Sequence, residues 1–491
     1  MTVTRSRELP AAVPTGLYID GVWRDAASGA VFDVIDPSTG GLLATVADAA
    51  VEDGEAALAA AHRAQDSWSR TAPRERAEIL RRAFELTVER TELIALTMTL
   101  EMGKPLAESR AEVAYGAEFL RWFSEEASRI AGRYATAPDG RNRLMVIKRP
   151  VGPCLFITPW NFPLAMAARK VAPAIAAGCT SVLKPAALTP LTALLFAEVL
   201  EDAGLPAGVL NVIPTSRAGA VTGPLIGDSR LRKLSFTGST EVGKRLIAAS
   251  ADQVLRVSME LGGNAPFLVF DDADLDAAVE GAVLAKLRNG GEACVAANRF
   301  VVHENVIDEF SRRLAERMGS YVLGRGSEPG TTLGPLVDEA TRSKVAELVA
   351  GAVEEGAVAT IGGAPVDGPG FFYPATVLTG VPLSARILTE EIFGPVAPIV
   401  SFRNEDEAVR IANASEYGLV CFVYTSDLNR ALRLSERLET GMLGMNTGLV
   451  SNPAAPFGGV KQSGLGREGG VEGIEEYLET SYIGIADPFA A

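Results

Sequence analysis

Within Leu287–Arg299, which reads LRNGGEACVAANR, one thiol is set apart from the others in the chain. Cys294 follows Gly290 and Gly291 and precedes the strand-like run Phe300-Val301-Val302. A backbone without Cβ can take unusual dihedrals and let a ligand come close. The other cysteines have apolar or small flanks: Cys154 in PCLFI, Cys179 in AAGCT and Cys421 in LVCFV. In such settings a free thiol packs as a small hydrophobe. The polar, glycine-rich flanks of Cys294 are the surroundings of a reactive thiol, which makes it the candidate nucleophile, with a structural cysteine as the plainer alternative on this stretch alone. His62 and His303 are the only histidines, one in an alanine-rich helical run and one after a strand. A Cys/His hydrolase would need one of them beside the thiol and a metal centre would need several ligands, so no metal is expected.

Other groups could serve such a thiol. Pro159-Trp160-Asn161-Phe162-Pro163 holds one amide, Asn161, in a stiff loop after a strand. An oriented amide N–H is a donor for a developing oxyanion, and it is equally a turn amide bonding its own backbone. Glu260, before Gly262-Gly263, is a carboxylate that apolar surroundings would turn into a general base; a solvated carboxylate is the plainer alternative. Lys184 ends the run Ser181-Val182-Leu183 and is stopped by Pro185, a position that suits the hydroxyls or phosphate of a nucleotide, or simply an edge lysine. The run Lys233–Gly243, KLSFTGSTEVG, leads through Gly238 and Ser239 into a helix whose free amides could hold an anion. Taken alone, an ordinary capped turn accounts for it as well.

These groups need a scaffold. With 491 residues the chain exceeds one compact core and predicts about two to four domains. Hydrophobic residues at 47% and charged residues at 22% describe a globular chain. A net charge of −15 argues against nucleic acid and anionic membranes as partners. The start, MTVTRSRELP, has no apolar signal region, and no apolar run matches the ~20 residues that span a bilayer, so a cytoplasmic protein is expected. Four scattered cysteines give no disulfide framework. Residues 51–130 read as helical, with Phe119, Leu120, Trp122 and Phe123 at core spacing. Residues 134–150 read as a hairpin turning at Pro138-Asp139-Gly140. Beyond it strands and helices alternate, at Cys154–Thr158, Ser181–Lys184, Val209–Ile213 and Lys233–Phe236, and again at Pro266–Phe270, Phe300–Val302, Ala397–Phe402, Val420–Tyr424 and Met442–Met445. The fold class is α/β, with parallel sheets covered by helices.

The motifs PWNFP, KPAALTP, FTGSTEVG, ELGGNAP, the Cys294 segment, EEIFGP and PFGGVKQSGLGRE, in that order, resemble the aldehyde dehydrogenase superfamily from about Leu17 to Ile485. The resemblance implies a Rossmann-like NAD(P)-binding domain over 1–131 and 149–261, an α/β catalytic domain over 262–470, and a β oligomerisation arm over 132–148 and 471–491, giving a homodimer or homotetramer. It makes Cys294 the nucleophile that forms a thiohemiacetal and then a thioester with an aldehyde. Asn161 and the Cys294 backbone N–H hold the oxyanion, and Glu260 activates the water that releases the acid. It assigns cofactor contacts to Trp160, Lys184, Gly238, Ser239, Glu391 and Phe393. Members that transfer the acyl group to coenzyme A generally lack the glutamate, so hydrolysis is favoured. Ala187 stands where NAD-preferring members often carry Glu, so no charge repels a 2′-phosphate and NADP is favoured over NAD. The nearest group is the succinate-semialdehyde dehydrogenases, whose carboxylate positions look like Arg169, Arg288 and Ser451 here; internal salt bridges of the two arginines are the alternative. Glutarate semialdehyde, another aliphatic aldehyde, or a catalytically silent member are the alternatives.

The chain departs from that pattern at three places. The usual GQTC reads Gly291-Glu292-Ala293-Cys294; a carboxylate aimed at the thiol would raise its pKa, so Glu292 is expected to point away. Cys421 replaces a small residue. Some succinate-semialdehyde enzymes carry a second cysteine two residues after the nucleophile as a redox switch; here it is Ala296. Mild peroxide is therefore expected to cause no loss of activity that a thiol reductant reverses through a Cys294 disulfide. Reversible inactivation with a disulfide seen by mass spectrometry would contradict this.

Overall fold

The computed structural model describes residues 9–489, so residues 1–8 of the polar start and the last two residues of the expected arm lie outside the described residues. Two parallel sheets organise the chain. The first runs in the order Val22–Arg24, Leu17–Ile19, Leu210–Val212, Ser181–Lys184, Cys154–Ile157, Lys233–Thr237, Arg256–Glu260, Gly464–Leu465. From Leu210–Val212 to Arg256–Glu260 the pairing is parallel, and both edges are antiparallel. Leu17–Ile19 turns back through Asp20 and Gly21, both at positive φ, a hairpin turn that Asp-Gly favours.

Cys154–Ile157 is the earliest parallel strand of this sheet, and its neighbours leave it in opposite chain directions. Ser181–Lys184 lies on one side and Lys233–Thr237 on the other, so the strand order reverses at Cys154–Ile157. In open α/β sheets the crevice beyond the carboxyl ends at such a reversal is where a ligand binds. The loops that leave those two carboxyl ends are Pro159–Pro163 and Gly238-Ser239.

The second sheet runs Val358–Ile361, Thr376–Thr379, Val396–Phe402, Ala297–His303, Ala265–Val269, Val420–Tyr424, Met442–Met445, parallel except at its first pair. Its two outermost strands on one side, Val358–Ile361 and Thr376–Thr379, were not legible in the sequence. Both have four residues and carry Thr among their apolar ones. The strand Ala297–His303, fully buried, emerges directly from the Cys294 loop. Phe267 lies at the centre of this sheet with its ring 5.3 Å from Phe300, 5.8 Å from Phe422 and 5.0 Å from Tyr424.

Helices Val51–Arg70, Pro73–Glu89, Thr91–Met102 and Leu106–Glu126 precede the parallel strands of the first sheet and, except for the start of the run, cover one of its faces. At the start of the first, Asp53 reaches back from the opening turn to accept the Ala50 amide and also takes the Ala27 amide. Phe119, Leu120 and Phe123 are buried in the core, while Trp122 is half-buried and donates its indole N–H to the Gly470 carbonyl. The hairpin Arg133–Thr136 and Asn142–Pro150 pairs along its length with Leu478–Ala486 in a three-stranded antiparallel sheet. Gly464–Leu465, although late in the chain, closes the edge of the first sheet against Met259 and Glu260.

Phe267→Ala removes a ring enclosed by three others and is expected to cost about 3–5 kcal/mol. The loss would be read as a lower urea midpoint; an unchanged midpoint would show that the second sheet closes over the cavity.

Candidate active site

The helix Leu275–Leu287 ends one residue before the chain enters a tight turn with Asn289, Gly290 and Gly291 all at positive φ. A Cβ on Gly291 would sit 2.3 Å from the Gly394 carbonyl oxygen, so only glycine lets these two loops touch. Asn289 Nδ2 donates to the carbonyls of Asn161 and Glu292, each at 3.0 Å. Asn161 Nδ2 donates to the same Glu292 carbonyl at 2.9 Å. An amide nitrogen has two hydrogens, so one N–H of Asn161 remains for a ligand. Cys294, partly exposed, lines both the cleft beside Asn161 and a second, smaller pocket behind it. Cys154, Cys179 and Cys421 are buried in the core.

A buried ion pair fixes this arrangement from below. Lys104 Nζ lies 2.5 Å from Glu112 Oε2, both side chains 1% exposed, and donates to the Asn161 carbonyl at 2.8 Å. Glu112 Oε1 accepts the Leu164 and Ala165 amides at 3.0 and 3.1 Å, the start of the helix Ala165–Ala177. Glu108 Oε2 accepts the Asn289 amide at 2.8 Å. The Asn161 loop and the Cys294 loop therefore hang from one helix, Leu106–Glu126.

Glu260 is the last residue of the strand Arg256–Glu260, 3% exposed, and its Oε2 has no hydrogen-bond partner. Burial, and then the negative charge of Glu468, push its carboxyl well above the usual range. Burial pushes the Cys294 thiol up to about 12; Arg169 opposes that rise, while Glu391 and Glu260 add to it. The thiol is therefore protonated at rest and needs a base, and the carboxyl with the raised pKa is close enough to affect it. Burial would also raise Glu468, but the charges of Arg169 and Lys170 outweigh it and hold Glu468 low. Glu468 pairs with both, at 2.5 Å to Lys170 and in direct contact with Arg169 Nε.

The cleft at the strand reversal is lined by Trp160, Gly238, Ser239, Glu391, Phe393 and Cys294, among others. Ser239 caps the helix Thr240–Ser250, its Oγ accepting the Val242 amide. Glu391 Oε1 accepts the Gly263 amide at 3.1 Å, and burial raises its carboxyl to about 7. Phe393, at φ 58, meets the Trp160 ring edge-on at 5.4 Å. Lys184 is buried at its strand end, and burial alone lowers its ammonium to about 8. It does not line this cleft, and Ala187 beside it is half-buried. A helix N-terminus, an aromatic pair and a lysine without an ion-pair partner among the described residues fit a dinucleotide with its pyrophosphate on the helix end.

The second pocket has Arg288, Arg169, Ser451, Tyr115, Phe162 and Phe457 in its wall together with Cys294. The structure divides the two arginines. Arg288 packs its guanidinium 5.0 Å from the Phe162 ring and 5.7 Å from the Tyr115 ring, with no carboxylate partner among the described residues. Arg169, expected as a second free guanidinium, is 1% exposed, already paired with Glu468, and lies 3.9 Å over the Phe457 ring. A helix buried on all sides cannot leave Arg169 and Lys170 without a counter-charge, and Glu468 supplies it. Arg169 Nη2 still has no hydrogen-bond partner. Ser451 is half-buried, with its hydroxyl beside the Tyr115 phenol.

The sequence profile of the aldehyde dehydrogenase family matches residues 23–483. The chain belongs to the aldehyde dehydrogenase family. It is 65% identical to a succinate-semialdehyde dehydrogenase of Paenarthrobacter nicotinovorans, over 91% of this chain and all of that one. It is 49% identical to a glutarate-semialdehyde dehydrogenase of Pseudomonas putida, over 96% of this chain and 97% of that one. The crystal structure of an NADP-dependent enzyme of E. coli superposes with a TM-score of 0.95 at 48% identity, covering 97% of this chain and 98% of that one. As an aldehyde dehydrogenase the chain is an NAD(P)-dependent oxidoreductase that oxidises an aldehyde. Among the described residues no helix is long and apolar enough to cross a membrane.

For an aldehyde dehydrogenase, several residues at the site were invisible in the motifs. Lys104, Glu112 and Glu108 hold the loops from a helix far away in sequence. Thr341 and Lys344 line the cofactor-side cleft, and Lys344 Nζ donates to the Glu391 carbonyl at 2.7 Å. One signal existed: two adjacent cations, Arg169 and Lys170, inside AMAARKVAPAIAA require a buried anion somewhere in the chain. His303 is bonded to the Arg403 carbonyl and His62 is exposed, so neither reaches the thiol.

Lys104→Met leaves Glu112 as an uncompensated buried carboxylate and is expected to destabilise the protein by about 3–5 kcal/mol. The double variant Lys104→Met with Glu112→Gln should recover part of that loss in thermal unfolding; no recovery would mean that the two charges act independently.

Proposed function

We propose that this aldehyde dehydrogenase oxidises succinate semialdehyde to succinate. The observation that carries the reading is Arg288, a guanidinium without an ion-pair partner among the described residues, held between two rings in the wall of the pocket that also contains Cys294. A planar guanidinium matches a carboxylate in two parallel hydrogen bonds. Ser451 and the unpartnered Nη2 of Arg169 add donors to the same end. A short chain with an aldehyde at one end and a carboxylate at the other would bridge Arg288 and Cys294. Glutarate semialdehyde, longer by one methylene, is the second reading, favoured by the Pseudomonas putida relative.

In this reading Cys294 Sγ adds to the aldehyde carbon after its proton passes to Glu260, which burial has made a strong base. The free N–H of Asn161 and the Cys294 backbone N–H receive the oxyanion of the thiohemiacetal. Loss of hydride from its carbon leaves a thioester on Sγ; accepting that hydride is the chemistry the nicotinamide cofactor supplies when bound. Glu260 gives that first proton up to solvent and then takes one from the water that attacks the thioester; passing it to Sγ as the tetrahedral intermediate collapses releases the acid and returns Cys294 as the thiol. Trp160, Gly238, Ser239, Glu391 and Phe393 would hold the cofactor. Lys184, beside an uncharged Ala187, would accept the 2′-phosphate of NADP. The division into cofactor, catalytic and arm domains belongs to this reading and is supported by the separate sheets. Exposed Tyr134, Tyr482 and Ile485 on the arm support a homodimer or homotetramer. Four free cysteines agree with a cytoplasmic location.

Arg288→Ala is expected to lower kcat/KM for succinate semialdehyde by about tenfold to a hundredfold while leaving butyraldehyde within about twofold. Initial rates with succinate semialdehyde, glutarate semialdehyde and butyraldehyde, each with NADP and NAD, test this. Equal losses on the charged and uncharged aldehydes would remove the carboxylate pocket and with it the succinate-semialdehyde assignment.

A further inference from the structure

Glu292 stands where the family motif has glutamine, two residues before the candidate nucleophile, and the mechanism above does not use it. Its side chain is 1% exposed and is engaged with the backbone at Val337. Oε1 accepts the backbone N–H of Val337 at 3.0 Å. Its main-chain carbonyl receives the Asn161 and Asn289 side-chain amides, and its N–H donates to the Asn289 carbonyl at 3.0 Å. One end of the residue is thus built into the oxyanion and thiol loops. The other end holds the residue before Asp338, the N-cap of the helix Glu339–Glu354. That helix carries Thr341 and Lys344 to the cofactor-side cleft, where Lys344 holds the Glu391 carbonyl.

We propose that Glu292 is a positioning residue that ties the Cys294 loop to the helix Glu339–Glu354 through Val337, so that cofactor bound against Lys344 and Glu391 is felt at the thiol. The proposal rests on the reading of Cys294 as the nucleophile.

The surroundings of Glu292 favour the uncharged form. It has no ion-pair partner among the described residues, and Lys104, whose charge favours the ionised form, is already engaged with Glu112. From the helix Leu106–Glu126 it faces Glu108, and from the start of the helix Glu339–Glu354 it faces Asp338. Burial raises the carboxyl well above its usual value; the Val337 N–H and Lys104 oppose this, and the two acidic neighbours reinforce it. A neutral carboxyl accepts from Val337 through one oxygen and can donate through the other, as a glutamine amide can. Ionisation replaces it by an unpaired buried anion. The Val337 hydrogen bond is itself stronger to the anion, but an unpaired charge out of water favours opening of the loop to hydrate it, so the tie weakens as pH rises through the raised value and is intact below it.

The test compares the full-length protein with Glu292→Gln, Glu292→Ala and Cys294→Ala. Two readouts are the rate of Cys294 alkylation by iodoacetamide with and without NADP, and kcat and KM from pH 6 to 10. In the parent, NADP is expected to change the alkylation rate by about threefold or more, and Glu292→Ala should lose that response. Glu292→Ala should also lose about tenfold to a hundredfold in kcat with KM for the aldehyde unchanged, the mark of a misplaced rather than a missing group. Glu292→Gln should keep both the NADP response and the neutral-pH kcat, and its alkaline loss of activity should move up by about one pH unit or disappear. An NADP response that survives in Glu292→Ala, or an alkaline limb in Glu292→Gln that coincides with the parent's, would overturn the proposal. If Glu292→Ala does not fold, the pH profile of Glu292→Gln decides alone. Activity remaining in Cys294→Ala would instead sink the nucleophile reading, a different failure from parent-like Glu292 variants beside an inactive Cys294→Ala.

Discussion

Lys104 and Glu112 meet in the interior, both almost wholly out of water, and each spends its remaining hydrogen-bonding capacity on the site. Burying two charges is costly, and their attraction offsets that only when the other lone pairs and protons are also satisfied. Here they are: Glu112 takes the amides that begin the helix Ala165–Ala177, and Lys104 takes the Asn161 carbonyl and covers the Phe162 ring at 4.5 Å. Asn161, Arg169 and Lys170 all follow from where that helix begins. The Asn161 carbonyl then anchors Asn289, and Asn289 anchors the thiol loop. A pair with little to do with chemistry sets the frame in which chemistry is possible.

A second layer of charge sits on the other side of the thiol. Arg169 and Lys170 share one carboxylate, Glu468, which they hold ionised, and Glu468 in turn keeps Glu260 reluctant to ionise. Two buried carboxylates in one neighbourhood are driven apart in pKa, one low beside cations and one high. The high one is near enough for its charge to act on the thiol. Glu292 is a third such carboxyl, raised for the same reason but turned outward to Val337, which explains how a glutamate can stand close to a nucleophile in sequence without acting on it.

Close backbone approaches complete the geometry. A Cβ on Gly263 would lie 2.4 Å from the Cys294 carbonyl oxygen, and one on Gly291 would strike Gly394. The ELGG, GGEAC and EEIFGP segments therefore need their glycines because three loops share a space too narrow for a side chain. The loops join the carboxyl ends of the first sheet to the amino ends of the second sheet's strands, and the crevice between those ends is the site.

Residue types at strand ends, glycine pairs beside them and the alternation of strands and helices are local properties, and they were readable in order along the chain. They were enough to expect an α/β protein and to single out Cys294 as the candidate nucleophile; the ordered motifs named the family, and only that resemblance gave Glu260 and Asn161 their roles. The contacts that tune those groups join residues far apart in sequence, such as Lys170 with Glu468 or Lys104 with Asn161, and periodicity carries no record of them. The state of charge of Arg169, Glu260, Glu292 and Cys294 was likewise decided only on folding. A pKa is set by burial and by the charges within a few ångströms, and both are created when distant segments close over the same pocket.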